Sequence, residues 1–564
     1  MKRPLSIAAC LLVPTSFASA QILLQEFHGE AAEARLGGNF DFIGDLTGDG
    51  VSDFIAGFPD DDTAGPDRGR VAVYSGADGS LFRQYFSDGD YERIGESVRA
   101  AGDIDADGVP DYISGSTSEY GGRGAVRVWS GAIGTLLYYV RGDTIGIDFA
   151  HAVDRAGDVD GDGHGDFVVG EPGWEEGGGL TDLGRVLVYS GANGQVIRTI
   201  VNAQFESSNG RRFGTLVRWV GDVNGDGFDD IFAGSYIAPT PCGNCRTGFV
   251  SVNSGADGSV IYQRRGWYDG HVGESELIGP SMAGLGDIDG DGKDEYLIGM
   301  DIGYECAAAF LLGASGQEIR SFQWEDCVDF DGSGTTILLG DAANLGDLDG
   351  DGMADAILDV GEPDKADIRS GATGALIFAL AGLELEGFKQ AFSACGDVNG
   401  DGVPDIAVGL PLADDAWTNA GRIEIWSGTP CGYSEIFCVG APNSVGPGAR
   451  LRFEGSANHS AADLVLAVDG GPPNQFGLFY FGPDPIQIPY GDGYRCAGGG
   501  FHRLGLRPFD ATGSASLAVD YSSSKAALLQ PGTTWSFQFL YRDPNGPLGS
   551  GFNGSDGLTL QFCL

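Results

Sequence analysis

Apolar and polar residues along this chain alternate in short runs, and the runs recur. Val71-Ala72-Val73-Tyr74-Ser75-Gly76 and Val186-Leu187-Val188-Tyr189-Ser190-Gly191 are strands that end in a turn. A shorter apolar run, such as Asp166-Phe167-Val168-Val169-Gly170, precedes each of them. Before that run lies an apolar-rich stretch ending in Gly-Asp, as in Val98-Arg99-Ala100-Ala101-Gly102-Asp103, and a further short strand follows the turn, as in residues 80–86. Short runs bounded by glycine-rich turns predict strands rather than helices. The unit is therefore four short strands, the composition of a propeller blade.

The unit carries a nine-residue signature, Asp-x-Asp/Asn/Thr-x-Asp-Gly-x-x-Asp/Glu. It starts at Asp45, Asp103, Asp158, Asp222, Asp287, Asp347 and Asp397, in steps of 58, 55, 64, 65, 60 and 50 residues. Repeats at this spacing predict a solenoid, a propeller or an array. An open solenoid favours shorter, more uniform repeats and needs caps. A closed ring must instead deal with its first and last strand edges. Residues 22–30 align without gaps onto residues 80–88, at the offset of 58 that relates Asp45 to Asp103. The chain thus begins with the outer strand of a blade, and the seventh unit stops at Ser427-Gly428, where that strand is due. The expected fold is all-β: a seven-bladed β-propeller over residues 21–430, whose N-terminal strand closes the last blade. Residues 431–564 lack the repeat but keep strand-like runs at 464–468, 476–481, 516–521 and 535–541, which predict a small β-sandwich.

The first twenty residues stand outside this scheme. Lys2 and Arg3, the apolar run 5–13 and Ala18-Ser19-Ala20 have the form of a secretory signal peptide, residues 1–20. Ile7-Ala8-Ala9-Cys10 also has the form of a lipid-attachment box, but too few apolar residues precede it. No later run reaches the roughly 18 apolar residues of a membrane span. A secreted or cell-surface location is the expectation. There the cysteines can oxidise, with candidate pairs Cys242–Cys245, Cys306–Cys327, Cys431–Cys438 and Cys496–Cys563. Cys242-Gly-Asn-Cys245 could also be a redox or zinc half-site, but no second cysteine pair matches it. Cys395 stands where the other repeats have Ile43, Ala101, Ala156, Val220, Leu285 and Leu345, so it is expected to be a buried thiol.

Charge sharpens the picture. With 80 acidic and 33 basic residues the formal charge is -47. That field disfavours nucleic acid and anionic lipid and attracts cations. Hydrophobic residues at 42% are enough to build a core.

The acids are concentrated in the repeated loops. Calcium takes about six to eight oxygens, and Mg²⁺ is less suited to such a set. Side chains at positions 1, 3, 5 and 9, with the position 7 carbonyl, supply most of them. The expected ligands are Asp45, Thr47, Asp49 and Asp53 in the first loop; Asp103, Asp105, Asp107 and Asp111 in the second; and Asp158, Asp160, Asp162 and Asp166 in the third. They are Asp222, Asn224, Asp226 and Asp230 in the fourth, and Asp287, Asp289, Asp291 and Glu295 in the fifth, with Asp294 as a possible substitute for Glu295. The sixth loop offers Asp347, Asp349, Asp351 and Asp355, and the seventh Asp397, Asn399, Asp401 and Asp405. Up to seven Ca²⁺ ions, one per blade, follow. Thr47 is expected to weaken the first site. An EF-hand is excluded: its position 12 glutamate is here Ala56, Ser114, Val169, Ala233, Ile298, Leu358 or Val408.

The repeats resemble the FG-GAP repeats of the integrin α-subunit propeller. Phe213-Gly214 matches the first element of that name, and Leu36-Gly37 and Ile94-Gly95 come close. Gly57-Phe58-Pro59, Gly170-Glu171-Pro172 and Gly409-Leu410-Pro411 match the Gly-x-Pro element; repeats four to six depart from it. The resemblance implies a seven-bladed ring with calcium in hairpin loops on one face. Residues 477–482, 541–544 and 562–563 resemble a C-terminal module of secreted planctomycete proteins, which implies no chemistry.

No catalytic constellation stands out. The six histidines are scattered, and no Gly-x-Ser-x-Gly, His-Glu-x-x-His or phosphate loop occurs. The leading expectation is a non-catalytic, monomeric adhesion or recognition protein that binds an extracellular protein or glycan through propeller loops. Trp174 with Glu175 and Glu176, Trp267-Tyr268-Asp269 and Trp417 are candidate contacts, equally open to a packing role. The alternatives are a propeller-based polysaccharide lyase or hydrolase, and a structural matrix component.

Overall fold

The computed structural model describes residues 23–562 apart from 31–32, 176–181, 202–211, 236–247, 267–276, 302–306, 314–315, 324–341, 360–364, 382–390, 415–416, 430–433, 439, 455–456, 458–463, 524–525 and 531–532. Residues 23–429 form one compact unit and 430–564 belong to another. The leader and Cys242, Cys245, Cys306, Cys327, Cys431 and Cys563 lie outside the described residues. No helix among the described residues is long and apolar enough to cross a membrane.

The first unit is seven antiparallel four-stranded sheets. Blade 1 is Phe40–Gly44, Asp53–Phe58, Arg70–Tyr74 and Leu81–Phe86. Blade 2 is Ser97–Gly102, Asp111–Ser116, Ala125–Trp129 and Leu136–Arg141. Blade 3 runs Val153–Gly157, Asp166–Glu171, Arg185–Tyr189 and Val196–Ile200. Leu216–Trp219, Ile231–Ser235, Phe249–Asn253 and Val260–Arg265 make blade 4. Blade 5 follows with Leu277–Gly286, Glu295–Asp301, Ala307–Leu312 and Glu318–Gln323. Blade 6 is Ala342–Gly346, Asp355–Asp359, Lys365–Arg369 and Leu376–Ala381. Blade 7 takes Ala391–Gly396, Asp405–Leu410 and Arg422–Trp426 from the end of the repeats, and Leu23–His28 from the beginning.

The ring is closed twice. The first strands of successive blades pack side by side, and that of blade 7 meets that of blade 1. Separately, Leu23–His28 pairs antiparallel with Arg422–Trp426, with Phe27 opposite Ile423. The outer strand of the last blade is therefore supplied from the other end of the repeat array, as the sequence alignment required. The chain after it stays bound to blade 7: Gly29, Glu33, Arg35 and Leu36 donate N–H bonds to the carbonyls of Gly421, Thr418, Asn419 and Ala420.

Two-sided packing explains the apolar runs. Every residue of Asp53–Phe58 is buried. Alternate residues serve different cores: Phe54 and Ala56 pack with Ile423 and Ile425 of blade 7, whereas Ile55 packs with Val98 and Tyr112 of blade 2. A second strand covered on both faces has no room for a polar alternation. Cys395 is a free buried thiol in the core shared by blades 7 and 1.

The glycine elements of the repeat lie where neighbouring blades touch. A Cβ on Gly170 of blade 3 would strike the carbonyl of Gly214, which begins blade 4. Gly409 and Gly37 repeat that contact across the closing seam. Only glycine permits such an approach of two backbones.

In an antiparallel blade the loops between strands 1–2 and 3–4 share one face of the ring. The 2–3 loops and the crossovers between blades share the other. Tyr91, in the crossover to blade 2, donates its N–H to Pro66 in the 2–3 loop of blade 1 at 2.8 Å. The acidic loops all join strands 1 and 2.

In the second unit one sheet has the strand order 434–437, 557–561, 534–543, 476–482 and 502–508, with 551–554 also paired to 534–543. A second sheet joins Arg450–Glu454, Val465–Asp469 and Ala515–Ala518. Leu451, Leu466 and Val468 of the smaller sheet share one core with Phe479, Phe481, Phe537, Phe539, Leu558 and Leu560 of the larger. Two sheets on one core make a sandwich. The disulfide corrects the expected pairing: Cys438 bonds Cys496, not Cys431, and Cys496 is thereby denied to Cys563. Sheet packing, which brings together residues far apart in sequence, decides the bond. Its ends lie 58 residues apart. Opening so long a loop in the unfolded chain costs about 4 kcal/mol of stability. Cys438→Ser with Cys496→Ser should therefore lower the melting of this unit by about that amount in denaturant titration, and an unchanged midpoint would contradict it.

Candidate metal centres

Each acidic loop is organised by its own carboxylates. In blade 1, Asp45 Oδ1 accepts the N–H groups of Gly48 and Asp49 at 2.7 and 3.1 Å, and its Oδ2 accepts that of Gly50 at 2.8 Å. Asp158, Asp222, Asp287, Asp347 and Asp397 make the same three bonds. Asp103 makes the last two of them; there Ala106, at φ 57°, replaces the glycine found at position 4 in the other loops. The position 5 carboxylate accepts the position 7 N–H, as Val51 donates to Asp49 at 2.9 Å. These bonds wind the loop into a cup lined with oxygens.

Position 9 sits at the start of the second strand, or in blade 4 just before it, and is buried in all seven loops: Asp53, Asp111, Asp166, Asp230, Glu295, Asp355 and Asp405. One oxygen accepts the N–H of position 2 or 3, as Asp111 does from Ile104 at 2.8 Å. In six blades the other accepts the N–H of a glycine in the turn after strand 3. Gly76 donates to Asp53 at 3.1 Å, Gly131 to Asp111 at 2.7 Å, Gly191 to Asp166 at 2.8 Å and Gly255 to Asp230 at 3.2 Å. Gly371 donates to Asp355 and Gly428 to Asp405, each at 3.0 Å. Hydroxyls of the same turns reach position 5: Ser75 on Asp49, Ser254 on Asp226 and Thr429 on Asp401. Sequence reasoning missed this second half of the site. Its signal was in view, as the Ser-Gly that ends strand 3 in blades 1 to 4, 6 and 7.

Blade 5 departs in both halves together. Its third strand ends in Leu312 and is followed by Gly313, with no serine before that glycine, and Gly313 donates to Gln317 instead. Glu295 nevertheless takes the position 9 role, accepting the Ile288 N–H at 2.9 Å. Asp294 is not its substitute. Its carboxylate accepts the Asp222 N–H at 2.8 Å and packs on Gly221 of blade 4. Position 8 makes this seam elsewhere too: Pro110 lies against Gly44, Asp229 against Gly157 and Pro404 against Gly346. Adjacent acidic loops are thereby held together.

Four loops bring three acids within 4.8 Å of one another: Asp103, Asp105 and Asp111; Asp158, Asp160 and Asp166; Asp287, Asp289 and Asp291; and Asp347, Asp349 and Asp351. These are the loops with aspartate at position 3. Thr47, Asn224 and Asn399 leave the other three with fewer charges. Thr47 Oγ1 lies 3.4 Å from Asp53, and the amides of Asn224 and Asn399 lie 3.4 Å from Asp230 and Asp405.

The donor set fits a hard divalent cation. All the groups are oxygens, and Asp105 Oδ1 is buried without a hydrogen-bond partner. Burial pushes the position 9 acids up: Asp111, Asp166 and Asp355 to about 6, and Asp230, Glu295 and Asp405 to about 7. Such acids ionise at neutral pH at a cost that a bound cation would offset.

The described contact candidates separate. Trp417 is exposed, at 55%. Trp174 is half-buried, with the Arg185 guanidinium 5.0 Å from its ring centroid. Glu175 is exposed, and Glu176 and Trp267-Tyr268-Asp269 lie outside the described residues.

Fold and loops together define a seven-bladed propeller with acidic hairpin loops on one face. Residues 154–189, 213–253 and 390–425, in blades 3, 4 and 7, match the FG-GAP repeat family. The chain is 28% identical to integrin α-5 of Xenopus laevis over 224 residues, 38% of this chain and 21% of that protein. It is 26% identical to integrin α-V of Gallus gallus over 216 residues, 36% of this chain and 20% of that protein. The chain thus spans about a fifth of these relatives. Among solved structures, Sqt1 of Saccharomyces cerevisiae is similar with a TM-score of 0.42 and 10% identity, covering 72% of this chain and 99% of that one. The chain carries FG-GAP repeats with distant similarity to integrin α-subunits, and its four acidic clusters are consistent with calcium-binding loops of that kind.

Proposed function

We propose that this chain is a secreted or cell-surface, non-catalytic recognition or adhesion protein. It holds up to seven calcium ions, one per blade, at positions 1, 3, 5 and 9 of the acidic loops. It acts as a monomer and binds an extracellular protein or glycan, not nucleic acid. The carrying observation is the division of the ring into two faces. One face is occupied by near-identical acidic loops that tie strands together. The other carries loops that differ from blade to blade, and on it Tyr91, Tyr120 and Trp417 are exposed. A rigid scaffold that presents varied loops with aromatic tips is suited to recognition. The distant likeness to integrin α-subunits supports a binding role.

A glycan array and a pull-down from native extracellular medium, each followed by product analysis, test this reading. Binding without cleavage supports it; turnover of a bound polysaccharide would overturn it. Trp417→Ala is expected to weaken capture by about 2 kcal/mol, roughly thirtyfold, with an unchanged melt because the ring is exposed. Equal capture by this variant and the parent would remove Trp417 from the interface.

A further inference from the structure

The first strands of all seven blades line a central cavity of about 290 Å³. Its wall is uneven. Blades 2, 3 and 4 contribute Arg99, Arg155 and Arg218, and blades 1 and 3 contribute Asp41 and Asp154. In a chain of formal charge -47, the cavity wall carries more guanidinium than carboxylate groups.

Both carboxylates have structural work. Asp41 Oδ1 accepts the Phe42 N–H and the Ser393 hydroxyl, and its Oδ2 accepts the Ala100 N–H, all at 3.0 Å. Asp154 accepts the N–H groups of Arg155 and Trp219 at 2.8 and 3.1 Å. These bonds stitch blade 7 to 1, 1 to 2 and 3 to 4. Burial pushes the Asp154 carboxyl up, while Arg218, Arg99 and Arg155 act on it in the opposite sense. A third acid, Asp229, acts on Arg155 from the metal-loop side, where it packs on Gly157, and it is not part of the cavity wall.

The guanidinium groups are held in place. Arg155 lies 4.0 Å from the Trp219 ring centroid. Arg99 and Arg218 each donate to the carbonyl of the residue before them, Val98 and Val217, at 2.9 and 3.1 Å. The planar fork of N–H groups on a guanidinium suits a carboxylate or sulfate group. The opposite wall is uncharged. Blades 5, 6 and 7 supply Met282, Ala343 and Phe392, and blade 1 adds Phe40.

We propose that this cavity binds a small organic anion, its carboxylate or sulfate on the arginine wall and its apolar part against blades 5 to 7. The site is distinct from the outer loops and does not depend on them. Isothermal titration of the full chain with calcium present, using benzoate and its neutral isostere benzamide, is the test. Benzoate is expected to bind about tenfold or more tightly than benzamide. Arg155→Gln and Arg218→Gln are each expected to weaken benzoate by about tenfold. No benzoate binding at millimolar concentration, equal binding of benzamide, or parental affinity in both arginine variants would overturn the proposal. Should a variant fail to fold, the comparison of the two probes on the parent chain still decides.

Discussion

Excess EDTA is expected to lower the melting temperature of the propeller on the order of 10 °C or more. A ligand that binds only the folded state contributes about 2.7 kcal/mol when present at 100 times its Kd. Several loops act on one ring whose adjacent loops touch at Gly44, Gly157, Gly221 and Gly346, so the contributions accumulate. The effect has a pH sign. Without metal, burial holds six of the seven position 9 acids at about 6 to 7, against roughly 4 in an unfolded chain. Between those values the folded state binds more protons, so the stability of the stripped protein falls as pH rises from about 4 to 7. Calcium requires the ionised form. Its stabilisation is present in full above about pH 7 and is lost as pH falls through 6 towards 4. The gap between calcium-loaded and EDTA-treated melts should therefore be widest at pH 7.5 and shrink by pH 5. Superimposed melts at pH 7.5, or a gap that widens on acidification, would contradict calcium loading.

Removing the closing strand is the second large perturbation. Deletion of residues 21–30 leaves Arg422–Trp426 with an open edge, and open edges recruit other strands. The expected product is a destabilised chain that associates in size-exclusion chromatography with light scattering. A synthetic peptide of residues 21–30 should restore the monomer by adding back as a strand. The gentler Phe27→Ala change removes a buried ring whose centroid is 4.9 Å from that of Phe54, at a cost of about 3–5 kcal/mol. A monomeric deletion variant with the parental melt would show that the inner ring of first strands closes the circle unaided.

Much of this architecture was legible because the repeat is local. Four strands and one acidic hairpin recur within about sixty residues, and glycine at position 6 marks each loop. The closing strand was legible for the same reason, since residues 22–30 repeat residues 80–88 at a constant offset. Where the reading fell short, the contacts join distant segments. Asp294 looked like a metal ligand because it adjoins Glu295, yet it serves the preceding blade through Asp222. Cys431 was the candidate partner of Cys438, yet the partner is Cys496.

Local periodicity alone determined the number of blades, the acidic loops and the strand that closes the circle, because hydrophobic alternation and turn chemistry are written within each unit. Tertiary structure alone decided which turn N–H groups complete six of the loops, which aromatic residues stay exposed, and that three arginines from successive blades line one cavity. Those outcomes depend on how separate blades are placed about a common centre, and no single unit records the position of its neighbours.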